Sequence, residues 1–255
     1  MRKSLLVTTI LAALSAGTSA HAADLATKPI TKAPAAAAFS WTGFYVGVEG
    51  GYGWAQNNFS NSFDPINPGT LSLQDAEYDL DGGLIGGQIG YNYQINNIVL
   101  GIEADAAWAN ITGSGSYFNG VAPSCIQSND PCSSKIDALG TITGRLGVAF
   151  DRVLLYAKGG AAWATTSQTA GSTNIALPFL NYSATTDLTR WGWTAGAGVE
   201  WAFLNNWSAK VEYNYMDFGS EQVTFNFVPN TFINPYSATL AQSVQVLKAG
   251  INYRF

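Results

Sequence analysis

Few residues in this chain belong to the types that usually carry out chemistry. The chain has one histidine, His21, and two cysteines, Cys125 and Cys132. Histidine is the common proton shuttle, the usual activator of a serine or cysteine nucleophile and the most frequent metal ligand. His21 lies in a segment that we expect to be cleaved, so the mature chain has no histidine for such a site. We therefore predict that the protein is not an enzyme, and we predict no catalytic residue, metal site or cofactor.

The other candidates for chemistry are ten charged side chains on the polar face of segments that alternate with apolar residues. Five are acidic, namely Glu49, Glu103, Asp105, Glu200 and Glu212, and five are basic, namely Arg145, Lys158, Lys210, Lys248 and Arg254. Carboxylates alone could act as an acid and a base, but no motif in the sequence supports such a reaction. Equal numbers of opposite charges on one face instead predict an interior that is lined by ion pairs.

The two cysteines lie in a long polar segment between two alternating segments. Outside the cytoplasm, two nearby cysteines favour a disulfide, and free thiols are the alternative. Six residues separate Cys125 from Cys132, so a bond between them would close only a short ring. We predict this disulfide and expect it to stiffen a loop.

The N-terminus predicts export from the cytoplasm. Residues 1–22 contain a basic start, a short apolar stretch and a final Ala20-His21-Ala22, which is the pattern of a cleaved secretory signal peptide. The alternative, a retained N-terminal helix, is disfavoured because the apolar stretch is too short to span a membrane comfortably. We expect cleavage after Ala22, followed by a flexible periplasmic linker over residues 23–40 that is rich in Pro and Ala.

The composition excludes several classes of protein. The chain has 255 residues, a formal net charge of −5, only 11% charged residues and 13% aromatic residues. A nucleic-acid-binding protein normally has a basic surface, so we expect no nucleic-acid partner. A disordered chain would be poor in aromatic residues and rich in charge. A secreted all-β protein and a β-barrel in a membrane remain.

Eight segments alternate between apolar and polar or small residues, which is the period of a β-strand. They are Phe44–Trp54, Ile85–Tyr93, Ile98–Trp108, Leu139–Phe150, Val153–Trp163, Trp191–Phe203, Trp207–Tyr215 and Ser243–Phe255. Short turns are expected at residues 96–97, 151–152 and 205–206, and long polar connections at residues 57–78, 113–137, 165–189 and 218–241. We therefore predict an all-β fold over residues 41–255, an eight-stranded antiparallel up-and-down transmembrane β-barrel with four long extracellular loops and three short periplasmic turns.

The tryptophans favour a membrane barrel over a soluble barrel similar to a lipocalin. They lie near the outer strand ends, at Trp54, Trp108, Trp163, Trp191 and Trp193, or near the inner ends, at Trp41, Trp201 and Trp207. Two aromatic girdles are expected at the two lipid–water interfaces, although aromatic residues favour strands in any case. A soluble barrel would also have to expose this aromatic face to water. We therefore predict outer-membrane lipid and lipopolysaccharide as partners.

Five blocks of the sequence resemble the small outer-membrane β-barrel proteins of alphaproteobacteria. These blocks are Ser40–Trp54, Gly82–Gln94, Arg145–Trp163, Thr194–Gly219 and Val246–Phe255. The resemblance is to the porin-family immunogenic outer-membrane proteins, a group related to the OmpA transmembrane barrel. It implies that Lys248, Gly250, Tyr253 and Phe255 form the C-terminal signal that the outer-membrane barrel assembly machinery recognises.

The predicted size and the resemblance together favour a structural function. Side chains fill the interior of an eight-stranded barrel, whereas open porin channels have about 16 to 18 strands. We therefore expect a barrel without an open pore that contributes to envelope integrity and surface display. The resemblance adds peptidoglycan as a partner, because some relatives are tethered to it through a mature N-terminus that begins Ala-Asp, as Ala23-Asp24 would. The alternatives are a small-solute channel or a surface protein that binds a ligand or host component such as haem.

The outer loops and adjoining strand ends are predicted to be strongly acidic. They contain ten acidic residues, including Asp64, Asp75, Glu77, Asp130, Asp187 and Glu221, against only Lys135 and Arg190. Such a surface would repel the phosphates of lipid headgroups unless divalent cations bridged the two. Cation bridging is therefore a hypothesis for this surface, and chelation should then loosen the association with the envelope.

Overall fold

Eight antiparallel strands form a closed barrel in the computed structural model, which describes residues 39–60, 76–114, 133–172, 182–225 and 236–255. The strands are β1 (Gly43–Ser60), β2 (Ala76–Ile95), β3 (Ile98–Ser114), β4 (Ser133–Phe150), β5 (Val153–Ser172), β6 (Tyr182–Trp201), β7 (Trp207–Phe225) and β8 (Tyr236–Arg254). Each strand pairs with its neighbours in sequence, and β1 pairs with β8 from Tyr45 opposite Arg254 to Ser60 opposite Thr239. The predicted fold class is confirmed. The described residues include no helix that is long and apolar enough to cross a membrane.

Three short connections lie at one end of the barrel, which we call the turn end; the opposite end is the loop end. Residues 96–97 and 151–152 are two-residue turns with positive φ at Asn96 (54°) and Asp151 (52°). Asn and Asp tolerate this left-handed conformation better than most residues, and it matches the twist of a tight hairpin. The third connection spans residues 202–206 and is therefore longer than the predicted turn at residues 205–206.

The strands extend further toward the loop end than the sequence predicted. The segment 165–189 was expected to be a loop, but β5 continues to Ser172 and β6 begins at Tyr182. Hydroxyl groups pair across these extensions, with Thr165 Oγ1 3.3 Å from Thr189 Oγ1 and Thr169 Oγ1 3.2 Å from Thr185 Oγ1. Polar side chains made these residues look like loops, although threonine is a good strand residue on a surface in contact with water.

The pairing between β6 and β7 covers only part of both strands. It runs from Trp193 opposite Asp217 to Trp201 opposite Ala209, whereas β7 continues its pairing with β8 beyond a bulge between Asp217 and Ser220. Gly219 in this bulge has a φ of +64°, a conformation that favours glycine. The barrel wall therefore splits between β6 and β7 near the loop end.

Arg190 fills the inner side of this split. Its Nη2 donates hydrogen bonds to the carbonyl oxygens of Phe218 (3.2 Å), Gly219 (3.0 Å) and Leu240 (3.1 Å), and its Nε lies 3.3 Å from Glu221 Oε2. The prediction that Arg190 belongs to the outer surface was wrong, because the side chain is buried. Two of the three acceptors, the carbonyl groups of Phe218 and Gly219, belong to the bulge, where β7 has no register partner in β6 or β8.

Replacing Arg190 should therefore destabilise the barrel through these carbonyl groups. We expect Arg190→Met to lower the free energy of unfolding by about 1–3 kcal/mol, because buried acceptors lose their donor. The control Glu221→Gln removes only the ion pair to a side chain that is 55% exposed, so its effect should stay below about 1 kcal/mol. Urea unfolding in lipid vesicles measures both effects. Equal effects of the two variants would contradict this role of Arg190.

Candidate functional site

The outer face of the barrel is apolar and aromatic. Large exposed side chains on this face include Phe44, Val48, Ile85, Ile102, Ile142, Leu146, Leu155 and Ile251. Six of the predicted girdle residues are exposed here, namely Trp54, Trp108, Trp191, Trp193, Trp201 and Trp207, whereas Trp163 is half-buried opposite Trp191 in the register. Such a surface fits a lipid environment, which accepts apolar side chains but not unpaired backbone groups.

Trp41 does not belong to a girdle, which corrects the prediction. The side chain is only 1% exposed and packs inside the turn end with Val99, Ala149, Leu154, Tyr156 and Ala202. Its Nε1 donates to the carbonyl oxygen of Asp151 (3.1 Å), and its backbone N–H donates to Gln94 Oε1 (2.7 Å). Trp41 precedes β1, so the alternation of the strand does not determine its direction. It closes the interior instead.

Nine of the ten predicted interior charges are buried within the barrel; Arg254 lies half-buried at the turn end. The nine are Glu49, Glu103, Asp105, Arg145, Lys158, Glu200, Lys210, Glu212 and Lys248, which we call the charge network. It contains five acids and four bases, so it is one positive charge short of the predicted balance. Taking an ion out of water costs several kcal/mol unless opposite charges and hydrogen bonds surround it.

Lysines join the acids of the network across the lumen. Lys158 Nζ lies 2.7 Å from Glu103 Oε1 and 2.8 Å from Glu212 Oε1. Lys248 Nζ lies 2.9 Å from Glu49 Oε1 and 3.2 Å from Asp105 Oδ1. These contacts connect β5 to β3 and β7, and β8 to β1 and β3. β8 and β1 are neighbours in the closed barrel, but the other three pairs link strands that are not neighbours in the sheet.

Lys210 completes the centre of the network. Its Nζ lies 3.2 Å from Glu49 Oε2, 3.5 Å from Glu212 Oε2 and 3.6 Å from Glu103 Oε1, and it donates to Gln88 Oε1. Each lysine thus lies among several carboxylates, so each charge is shared among the strands.

Two tyrosines that the sequence analysis missed bridge the acids and Arg145. The hydroxyl of Tyr45 donates to Glu103 Oε2 (2.6 Å) and accepts from Arg145 Nη1 (2.9 Å). The hydroxyl of Tyr156 donates to Glu212 Oε2 (2.7 Å), and the Arg145 guanidinium lies 3.8 Å from the centre of its ring. Each tyrosine is separated by an even number of residues from an inward-facing charge in its own strand, so it points to the same side; Tyr45, for example, lies four residues before Glu49. This even spacing could have identified them, but aromatic residues were assigned to the lipid face.

Neutral polar side chains add hydrogen bonds to two of the carboxylates, Glu200 and Asp105. Glu200 accepts hydrogen bonds from Arg145 Nη2 (2.9 Å), Ser208 Oγ (2.5 Å) and Asn252 Nδ2 (2.9 Å). Asp105 accepts one from the hydroxyl of Thr141. Such contacts allow a carboxylate to stay ionised away from water.

Inward-facing glycines provide the space for these side chains. A Cβ atom at Gly198 would lie 2.6 Å from the hydroxyl oxygen of Tyr156, and one at Gly90 would overlap that of Tyr45. A Cβ atom at Gly51 or Gly86 would overlap a backbone carbonyl oxygen of the neighbouring strand. Glycine at these positions keeps the barrel narrow while large polar side chains cross it.

The interior is not polar throughout, although the sequence analysis predicted a polar face. An apolar layer lies between the charge network and the loop end, formed by Ala55, Leu80, Leu84, Ala107, Ala109, Ile111, Ile136, Leu139, Ala162, Ala164, Met216, Phe218, Val244 and Val246. Apart from Ile136, which lies beyond a register shift in β4, these residues continue the inward parity of the charged ones, but as apolar residues they resemble the lipid face. Beyond them, Asn57, Ser134, Gln168 and Gln242 form a buried polar layer.

The packed interior therefore closes the barrel along the described part of the lumen. The charge network lies between the apolar layer and the group around Trp41. The described residues contain no cluster of His, Cys, Asp and Glu that could hold a metal ion. The arrangement is that of a filled eight-stranded barrel.

Comparison with known proteins identifies the family. The family model described as outer membrane protein beta-barrel domain matches residues 9–255. The chain belongs to this outer-membrane β-barrel family. Integral localisation in the outer membrane follows, and the loop end is extracellular while the turn end is periplasmic. Membership also confirms the resemblance that the five sequence blocks suggested.

Named relatives cover nearly the whole chain. The 31 kDa outer-membrane immunogenic protein of Brucella melitensis is 33% identical, with 96% of this chain and 98% of that protein aligned. The 25 kDa outer-membrane immunogenic protein of Brucella abortus is 28% identical over 98% of this chain and 97% of its own length. The outer membrane protein OprG of Pseudomonas aeruginosa matches with a TM-score of 0.54 at 11% identity, covering 84% and 97% of the two chains, which shows a shared fold alone.

The other predicted site residues divide into two groups. In the predicted C-terminal signal, Lys248 points into the charge network and Gly250 lies against Glu49. The ring centres of Tyr253 and Phe255 are 5.1 Å apart near the periplasmic rim. Cys125, Cys132 and Ala23 lie outside the described residues. The recognition of this signal, the disulfide and the tether therefore stay predictions.

The charge network should couple Lys158 to Glu103 strongly. Breaking a buried pair leaves an uncompensated charge, so we expect Lys158→Met and Glu103→Gln each to lower the free energy of unfolding by about 3–5 kcal/mol. The double variant should cost less than the sum of the two, with a coupling energy of about 1–3 kcal/mol. Urea unfolding of the four proteins in vesicles gives this value.

A surface pair provides the matched control. Lys135 Nζ lies 2.6 Å from Asp137 Oδ1, but these side chains are 44% and 35% exposed. Lys135→Met and Asp137→Asn should each change the free energy of unfolding by less than about 1 kcal/mol. Equal coupling energies for the buried pair and the exposed pair would contradict the view that burial strengthens the interior contacts.

Proposed function

We propose that this protein is a structural barrel that contributes to envelope integrity, displays its loops on the cell surface and is tethered to peptidoglycan through its N-terminus. The observation that carries the structural part is the filled interior. The group around Trp41, the charge network and the apolar layer follow one another across the lumen. A filled barrel supports mechanical and display functions better than diffusion of solutes.

The names of the relatives support surface display. The similar proteins of Brucella are described as outer-membrane immunogenic proteins, and loops that reach beyond the membrane would be the accessible part of such a barrel. The strand extensions with paired threonine hydroxyls provide a rigid base for these loops.

The residues before β1 support the tether. Trp41 and Thr42 are attached to the barrel through Gln94, whose backbone N–H donates to Thr42 Oγ1 (2.9 Å) and whose side chain accepts from the backbone of Trp41. A linker that starts from such an anchored segment can transmit a pull from the cell wall to the whole sheet.

A planar-bilayer recording separates the structural function from a channel. We expect the folded, purified mature protein to produce no conductance steps under voltage, because side chains from all three layers fill the lumen. Met216→Ser/Phe218→Ser, which makes the apolar layer polar, tests whether this layer contributes to the seal. Discrete and reproducible steps from the unaltered protein would contradict the proposal and favour the small-solute channel.

The tether can be tested on isolated cell walls. We expect part of the protein to remain with walls boiled in detergent, and muramidase to release it with an altered gel mobility. Asp24→Asn should reduce this bound fraction severalfold, whereas the control Asp151→Asn, at an exposed turn, should leave it unchanged. A mobility that muramidase does not alter would contradict covalent attachment and leave the filled barrel unaffected.

A further inference from the structure

Two arginines at the periplasmic end of the barrel have no carboxylate partner in the described ranges. Arg152 lies in the turn between β4 and β5, and Arg254 ends β8; both side chains are half-buried. The arginine ion pairs within 4.0 Å in the described part of the chain involve Arg145 and Arg190 instead. Two guanidinium groups at this rim therefore lack a direct ion pair among the described residues.

The two guanidinium groups converge on the same neighbours. They lie 5.2 Å (Arg152) and 4.4 Å (Arg254) from the centre of the Phe39 ring. Arg152 Nη2 donates to Asn205 Oδ1 (2.9 Å), and Arg254 Nη2 donates to the carbonyl oxygen of Asn205 (2.8 Å). These contacts orient the groups but use only a few of the five N–H donors that each arginine has.

A pocket beside Arg152 is apolar on its other side. Its volume is about 330 Å³, and its lining comprises Arg152, Trp201, Ala202, Phe203, Leu204 and Asn205. Trp201, Phe203 and Leu204 are exposed, and Trp207 follows at the start of β7. Aromatic residues at this level of a barrel mark the boundary between lipid tails and headgroups. The pocket thus combines a cationic wall with an apolar one at the height of the headgroups.

We propose that Arg152, with the charge of Arg254 beside it, binds the phosphate of an anionic phospholipid in the periplasmic leaflet, with the glycerol and the start of an acyl chain against Phe203 and Leu204. The planar guanidinium group matches phosphate oxygens with two parallel hydrogen bonds. Free inorganic phosphate offers the same charge, but it would leave the apolar wall without a partner. The phospholipid satisfies both walls of the pocket.

Lipid titration of the folded protein in detergent, followed by native mass spectrometry, tests this site. Phosphatidylglycerol is the probe. We expect Arg152→Gln/Arg254→Gln to weaken its binding by between about tenfold and a hundredfold, because the charge-assisted contact of Arg152 and the nearby charge of Arg254 are both lost. Lys135→Gln is the control, since it removes one positive charge at the extracellular end, and it should leave the affinity unchanged. Heat-dependent gel mobility confirms that each variant is folded.

A second variant distinguishes the lipid from free phosphate. Phe203→Ser/Leu204→Ser keeps both arginines but removes the apolar wall, so it should weaken phosphatidylglycerol binding. In a separate measurement, millimolar inorganic phosphate should fail to displace the lipid from the unaltered protein. Equal lipid affinity of the folded arginine variant and the unaltered protein would overturn the proposal. Displacement by inorganic phosphate, together with no effect of the Phe203 and Leu204 changes, would also overturn it in favour of a free-anion site.

Discussion

The structure depends on one constraint: nine charged side chains must remain paired in a lumen that is too narrow to hydrate them. A single buried pair would be a weak source of stability, because desolvation cancels much of the attraction. Here each lysine contacts several acids, and Lys158 alone connects β5 to β3 and β7. Inward glycines such as Gly90 and Gly198 leave the space that the tyrosines of this network occupy. The narrow cross-section of the barrel brings the charged side chains within contact distance, and their pairing holds the strands together at that cross-section.

Apolar material at both ends of the network strengthens this effect. The group around Trp41 separates the charges from the periplasm, and the layer that includes Met216 and Phe218 separates them from the extracellular end. Charge interactions grow stronger where water is excluded, so the apolar layers increase the cost of breaking any pair. The lumen is therefore filled along the part of the barrel that the structure describes.

The sequence predicted the parts of this structure that follow from strand parity. Alternation placed nine charges inside and the lipid-facing residues outside, and the turn residues Asn96 and Asp151 were found where expected. Alternation was interpreted by assigning apolar and aromatic residues to the lipid face. The apolar inner layer and the two buried tyrosines face the lumen instead, so they were missed. Parity also could not predict where the strands end. The threonines of β5 and β6 continue the strand pairing beyond the membrane, although their polar side chains are typical of a loop.

The errors at single residues have a common physical origin. Trp41 lies before the first strand, and Arg190 faces a bulge where the ladder between β6 and β7 has ended. Both residues lie just before the segments that alternation predicted as strands, so parity was not applied to them, although Arg190 has the same parity as Glu200. Long-range partners hold both side chains, namely the carbonyl oxygen of Asp151 for Trp41 and those of Phe218, Gly219 and Leu240 for Arg190. A periodic pattern contains no information about such partners. Pairing of neighbouring strands forms the wall of any up-and-down barrel, so the features that distinguish this protein lie where that pairing ends, at Arg152 and Arg254 on one rim and at the split beside Arg190 on the other.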